Sequence, residues 1–146
     1  TLTIVENSSQ KSKNKEIIKS DYYTSGHSYD SIINENGYLK MNGKNVMNFC
    51  SIEVVNFVKS FLRKEKINLS SFDKIFLHQG SKYIVDIIYK KLKCRDNQRI
   101  EPILNVGNTV SSSIPILLKE RNFSKFRKIL ICGFGVGLSI SIGVLI

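Results

Sequence analysis

Cysteine is scarce in this chain of 146 residues: Cys50, Cys94 and Cys132 are odd in number and none belongs to a CxxC pair. Neither a disulfide framework nor a zinc site is indicated. Histidine is scarcer still, with only His27 and His78. Acidic residues number 12 against 22 basic ones, a formal charge of +10. Such a charge attracts nucleic acid, anionic lipid or acidic protein at long range. Most of it is lysine in a chain also crowded with isoleucine and asparagine, the mark of a general compositional bias. An aromatic-interleaved RNP pattern and a zinc motif are both missing, so nucleic-acid binding has charge alone behind it. The opening residues lack the basic, apolar and small-residue succession of a secretory signal, and the cytoplasm is the expected location.

One long run without charge is present, over residues 129–146. Its 18 residues are the minimum for a membrane span. Gly133, Gly135, Gly137 and Gly143 interrupt it, and a tight glycine cluster favours a turn between two strands. The cluster also has the look of a dinucleotide fingerprint, but no helix and no acidic residue follow it, so a nucleotide site is not expected. With 42% hydrophobic residues, the chain has material for one globular domain with a substantial core.

Along the chain, residues 7–20 are polar and lysine-rich and read as an exposed, irregular segment. Residues 21–36 add Tyr22, Tyr23, Tyr29 and His27, the last expected at the surface. Asn36-Gly37 and Asn42-Gly43 are turn signals bracketing an extended Tyr38–Met41. Val46, Cys50, Val54, Phe57, Val58, Phe61 and Leu62 recur at three- and four-residue steps and predict an amphipathic helix over 44–66. A short buried strand, Lys74–Leu77, then delivers His78. The helix Lys82–Leu92 comes next, with Ile84, Ile87 and Ile88 expected inward and Lys82, Lys90, Lys91 and Lys93 in water. Residues 100–106 read as a second strand, broken early by Pro102, that delivers Asn108. Ser111, Ser112 and Ser113 offer cap hydroxyls for a helix to about Arg121, with Pro115 tolerated in its first turn. Apolar strands over 128–132 and 138–146 close the chain. Strands alternating with helices imply a layered α/β fold.

The chemistry concentrates in Leu77-His78-Gln79-Gly80 and Val106-Gly107-Asn108-Thr109, with the two named polar residues 30 apart, followed by Ile131-Cys132-Gly133-Phe134-Gly135-Val136-Gly137. A neutral imidazole and a carboxamide, each on a loop at a strand end, can both donate to one substrate oxygen. That suits negative charge developing on a thioester carbonyl. The thiols are poorly placed for nucleophilic attack, which needs a lowered pKa. Cys50 falls within a helix, Cys132 lies in an apolar strand, and Cys94 is expected to be an exposed, incidental thiol.

These segments, with Tyr38-Leu39-Lys40-Met41-Asn42-Gly43, Phe76-Leu77-His78-Gln79 and Gly107-Asn108-Thr109-Val110-Ser111-Ser112-Ser113-Ile114-Pro115, resemble the C-terminal half of the thiolase-fold condensing enzymes, most closely 3-oxoacyl-acyl-carrier-protein synthase III. The likeness runs from about Tyr38 to Ile146. It implies an αβαβα layered fold, with residues 1–37 ending the N-terminal half and its connection, and 38–146 forming the C-terminal domain. Leu2 to Val5 is similar to the strand that closes the family's N-terminal half. Such enzymes use a cysteine in that half, and only 77 residues precede His78. The chain therefore reads as the back portion of a longer protein, by truncation or processing or, alternatively, as a naturally split subunit.

The resemblance further implies that His78 and Asn108 stabilise the enolate of a malonyl thioester, while the backbone of Val136 serves the acyl-cysteine oxyanion. A backbone donor tolerates valine unless the position needs a positive φ. Met47, Ser81 and Phe134 would line the substrate channel, and Gly80-Ser81 stands where alanine then asparagine is usual. Asn48 occupies a position where the family carries a docking lysine. Lys90 and Lys91, with Lys82 in reserve, match the basic helix that receives acyl carrier protein. The expected partners are acyl carrier protein, acyl-CoA, the enzyme's own N-terminal half and a second copy of the intact enzyme. Neither metal nor resident cofactor is implied, since coenzyme A and carrier thioesters are substrates. From another class, the chain could instead be a noncatalytic carrier-binding or scaffold partner of a condensing enzyme.

Overall fold

The computed structural model describes residues 15–102 and 105–146. The described chain begins with β1 (Ile17–Thr24), followed by a hairpin of β2 (Ile32–Glu35) and β3 (Tyr38–Met41). A helical stretch runs from α1 (Gly43–Asn48) through the π-helical segment Phe49–Val54 into α2 (Val55–Lys64). Next come β4 (Lys74–Leu77), α3 (Lys82–Leu92) and α4 (Ser113–Glu120). The chain closes with β5 (Ile129–Gly135) and β6 (Ser139–Leu145). A four-stranded mixed sheet has the order β1-β6-β5-β4. β4 is parallel to β5, while β5–β6 and β6–β1 are antiparallel.

Local chemistry accounts for the elements. The β2–β3 turn places Asn36 (φ 53°) and Gly37 (φ 84°) both in the left-handed region, where Asn-Gly costs least and where the twist of a two-residue hairpin is matched. Asn42 caps α1 by accepting the Asn45 N–H at 3.1 Å, which satisfies one orphan helix donor. The uncharged C-terminal run is a strand pair, in register from Ile129↔Leu145 to Gly135↔Ser139, with Gly137 at φ 77° in the connection. No helix among the described residues is long and apolar enough to cross a membrane.

Both faces of the central strands are buried. Ile75 and Leu77 of β4, Leu130, Cys132 and Phe134 of β5, and Ile140, Ile142 and Val144 of β6 face the layer of α2, α3 and the π-helical segment. The alternate residues Phe76, Ile129 and Leu145 face Leu117 of α4, with Ile100, Phe123 and Phe126 around them. The period-two division of one apolar run between two cores is what a strand covered on both sides requires.

The structure differs from the sequence expectations in several places. Part of the segment expected to be irregular forms β1; its side chains are almost all exposed, so its backbone pairing with β6 leaves no apolar alternation to read. The expected strand over 100–106 is not formed at Ile100–Pro102 or Asn105–Val106, while Ile103 and Leu104 lie outside the described residues, as does the expected strand over 2–5. The inward face of α3 is Val85, Ile88, Tyr89 and Leu92, with Ile84 and Ile87 half-buried. Cys94 is buried: Lys93 turns left-handed (φ 58°) and the Cys94 N–H donates to Tyr89 O at 3.0 Å, folding the thiol inward.

Tyr89 ties three segments together. Its hydroxyl donates to Ile75 O at 2.7 Å and accepts the Ile100 N–H at 3.2 Å, at a side chain only 1% exposed. Burial pushes this phenol upward from its ordinary value. Replacing Tyr89 by Phe leaves a buried carbonyl and a buried amide unpaired, at a cost of about 1–3 kcal/mol. The expected result is a lower urea midpoint for Tyr89→Phe with an unchanged denaturant slope.

Candidate active site

β4 delivers His78 at its C-terminal end, where the His78 N–H donates to Cys132 O at 2.9 Å and prolongs the β4–β5 ladder by one residue. The imidazole is fixed on two sides. Its Nδ1 lies 2.7 Å from Ser113 Oγ, and its ring stands edge-on to Phe134 with centroids 5.3 Å apart and planes at 86°. Gly80 lies beside the far edge of the ring, where a Cβ would make ordinary contact at 3.6 Å from Cδ2 and 3.7 Å from Nε2. Partial burial holds the imidazole below its ordinary value, because desolvation disfavours the charged form. The neutral ring therefore predominates at neutral pH.

Asn108 lies on the loop that leads into α4. Its Oδ1 accepts the Val110 N–H at 2.9 Å, which fixes the orientation of the amide and leaves its NH2 group without a hydrogen-bond partner among the described residues. Val110 adopts φ 52°, a left-handed conformation that costs a β-branched residue about 1–2 kcal/mol. Ser113, the first residue of α4, contacts His78 and so brings the Asn108 loop to the same end of the sheet. The β5–β6 turn reaches this end too, with Val136 64% exposed and outside the left-handed region, while Gly137 (φ 77°) and Leu138 (φ 43°) take positive φ. The left-handed demand on Val136 thus does not arise. Loops beyond the carboxyl ends of parallel strands are where open α/β sheets bind ligands.

Phe134 is thus the expected channel residue that the fold brings against His78. Met47 is half-buried on α1. Ser81 caps α3, its hydroxyl accepting the Ile84 N–H at 3.2 Å. Lys82 pairs with Asp86 at 2.8 Å, whereas Lys90 and Lys91 make no ion pair among the described residues. Both stand at the last turn of α3, with Lys90 about 12 Å of helix rise from Lys82. Burial raises Cys50 and Cys94 to about 11 and Cys132 to about 12, which makes all three poor nucleophiles. His27 is exposed. Among the described residues no three His, Cys, Asp or Glu side chains gather as a metal site.

Two buried polar residues escaped the reading of the sequence as site residues. Gln79 donates from Nε2 to Leu77 O at 2.7 Å, and its backbone N–H donates weakly to Ser113 Oγ at 3.4 Å. Ser113 belongs to the serine run expected to cap α4, yet Ser112 at the cap makes no side-chain bond and Ser113 turns to the His78 loop instead. The signal available was the serine run itself, which does not disclose which hydroxyl crosses between loops.

A family model described as 3-oxoacyl-[acyl-carrier-protein (ACP)] synthase III C terminal matches residues 62–145. The beta-ketoacyl-[acyl-carrier-protein] synthase III of Clostridium perfringens is 34% identical over 111 residues, covering 73% of this chain and 34% of that protein. The Streptococcus uberis enzyme of the same name is 31% identical over 108 residues, covering 70% and 33%. The chain thus spans about a third of the length of these curated relatives. The crystal structure of 3-oxoacyl-[acyl-carrier-protein] synthase III from Aquifex aeolicus aligns with a TM-score of 0.82 at 23% identity, over 93% of this chain and 46% of that one. The layered α/β fold is the one seen in that structure.

The lowered pKa of His78 makes stability depend on pH. Between the folded value and the ordinary 6.5, the unfolded chain binds more protons than the folded one, so this contribution is complete above 6.5 and declines as pH falls through that window. Urea midpoints measured from about pH 7 down to about pH 5 should fall more steeply for the native chain than for His78→Gln.

Proposed function

This chain belongs to the 3-oxoacyl-[acyl-carrier-protein] synthase III family, and we propose that it supplies the two side-chain donors for decarboxylative condensation of an acyl thioester with a malonyl thioester on acyl carrier protein. The single observation behind this reading is the partly buried, neutral His78, held by Ser113 and Phe134 at the open end of β4, with the Asn108 amide turned to present N–H groups on the loop leading into α4.

In this mechanism the ring nitrogen facing away from Ser113, Nε2, and Asn108 Nδ2 donate to the malonyl thioester oxygen. The malonyl C–C bond breaks, carbon dioxide leaves, and its electron pair becomes an enolate whose charge rests on that oxygen. The enolate carbon then attacks the acyl-enzyme carbonyl, displacing the thiolate and releasing a 3-oxoacyl thioester. No proton need leave the malonyl unit, so a neutral imidazole acting as donor suffices. Val136 N–H is assigned to the acyl-thioester oxyanion, and Phe134, Met47 and Ser81 to the channel. The chemistry runs on coenzyme A and carrier thioesters, with neither metal nor resident cofactor.

The nucleophile is assigned to a cysteine in an N-terminal half outside this chain, because Cys50, Cys94 and Cys132 are buried with raised pKa values. The working enzyme is then this portion joined to that half, dimeric and cytoplasmic. Lys90 and Lys91, exposed and free of ion pairs among the described residues, are the better candidates for docking the acidic carrier protein, with Lys82 engaged by Asp86. Attraction there would raise the encounter rate and fade with salt. A noncatalytic carrier-binding role would use the same two lysines, but it gives no reason for the oriented His78 and Asn108.

Radiolabelled acyl-CoA should leave this chain unlabelled and should label it only when it is joined to a cysteine-bearing N-terminal half, with the label on that half. Acylation of the isolated chain contradicts the assignment. In the joined enzyme, His78→Ala and Asn108→Ala should each slow malonyl decarboxylation by about 10²–10³-fold, about 3–4 kcal/mol of transition-state stabilisation, while acyl transfer to the cysteine persists.

A further inference from the structure

We propose that Ser113 is a positioning residue that sets the tautomer of His78, giving its hydroxyl proton to Nδ1 so that the ring N–H sits on Nε2. The inference deepens the condensation reading and rests on it for its functional meaning, but not for its physics.

The argument is a count of protons and lone pairs. A serine hydroxyl has one proton to give and two lone pairs to offer, and a neutral imidazole has one N–H and one bare nitrogen. Ser113 is 3% exposed, so its proton has no recourse to water. Its Oγ has two partners among the described residues: Nδ1 of His78 at 2.7 Å and the Gln79 backbone N–H at 3.4 Å. The amide can only donate, so it takes a lone pair of Oγ.

Two arrangements remain for the short contact. Were Nδ1 to carry the ring proton, Oγ would accept from both partners and its own proton would be left buried without an acceptor, which native structures avoid. Were the hydroxyl to donate to Nδ1, every group would be satisfied, and the ring proton would lie on Nε2. That nitrogen is on the edge of the ring beside Gly80, where a Cβ would lie 3.7 Å from it and the glycine places only a hydrogen. A donor is thus presented on that edge, the form that an enolate oxygen requires.

The placement of Ser113 adds a second consequence. It opens α4 directly after the 3-10 turn Val110–Ser112, whose first residue is held by Asn108 Oδ1. The residue that orients the imidazole therefore stands on the segment that carries the carboxamide, so one short stretch of chain sets both donors.

The test reads the ring directly. Long-range proton–nitrogen correlation spectra of this chain, labelled with 15N-histidine and recorded near pH 8, well above the ordinary histidine value, should show His78 with Nε2 protonated and Nδ1 bare. Ser113→Ala should lower the ratio of that tautomer to the other by about fivefold to tenfold, the worth of one neutral hydrogen bond. Ser113→Thr, which restores a hydroxyl, should recover the native spectrum. A native ring protonated at Nδ1, or a ratio unmoved in Ser113→Ala, overturns the assignment. Should Ser113→Ala fail to fold, the native and Ser113→Thr spectra decide it. A ring with the expected tautomer in a joined enzyme that does not decarboxylate malonyl thioesters would sink the condensation reading and leave the role of Ser113 standing.

Discussion

Parallel hydrogen bonding between β4 and β5 is the constraint on which the rest of the molecule depends. Lys74↔Ile129 through Leu77↔Cys132 align the two strands, and parallel neighbours cannot be joined by a tight turn. Residues 78–128 must therefore make a crossover, and that crossover contains α3, the Asn108 loop and α4. Both strands end on the same side, so whatever follows Leu77 meets whatever follows Cys132. The His78 N–H to Cys132 O bond fixes that meeting to a single register. A slip of one residue would send His78 toward the opposite face and exchange the two apolar sets of the sheet.

Burial of the sheet on two sides follows from the same crossover. The helices before and after β4 cover one face, α4 covers the other, and the alternate residues of β4, β5 and β6 divide between them. Phe134 belongs to the larger core yet lies at the strand end, so its ring is both core filler and the wall against which His78 stands. The site is thus an exposed edge of the core. That accounts for the partial burial of the imidazole and for its lowered pKa without any charged neighbour. At the far edge of the sheet, β1 contributes backbone pairing and little apolar burial, with Lys19 reaching Glu65 at 2.9 Å. An edge strand carrying lysine is a usual protection against pairing with other chains.

Features written in local periodicity were legible from the sequence. Helical spacing over 44–66 anticipated the run from α1 to α2, and Lys74–Leu77, 128–132 and 138–146 were readable as strands because burial on two sides leaves them almost continuous, although β5 runs on to Gly135 through glycines that read as turn. Asn36-Gly37 announced the turn, though not the strand β2 that pairs across it. What escaped had no local signature. β1 is held by its neighbour's backbone and not by its own side chains, so its polar sequence hid it. The inward face of α3 is turned by about one residue from the expected one because Tyr89 spends its hydroxyl on Ile75 and Ile100, partners distant in the sequence. Cys94 looked exposed after a lysine-rich helix end, and only the left-handed Lys93 reveals that the chain turns back there. His78, Asn108 and the β5–β6 turn could be picked out as chemistry, while the bond between Ser113 and His78 is tertiary and had no trace in spacing.

On the tautomer proposed for His78, the two proposed donors are oriented alike, each with its acceptor atom occupied. Asn108 spends its carbonyl oxygen on the Val110 amide, and His78 meets Ser113 through Nδ1. What each has left to offer outward is N–H. Two neutral donors with their acceptors already engaged favour an oxygen acquiring negative charge over a cation or a neutral donor, and they need little reorganisation when the charge appears. In the proposed condensation a protonated histidine would also donate, but it would attract the malonyl carboxylate, the group that would leave as neutral carbon dioxide. Burial against Phe134 keeps that competing charge away. The left-handed Val110 is the cost: its backbone strain of about 1–2 kcal/mol is what turns its N–H back toward Asn108. Strain retained at one residue beside a functional side chain, and nowhere compensated by burial of Val110 itself, 66% exposed, is intelligible if holding the amide in one orientation is worth more to the site than relaxing the turn would be to the fold.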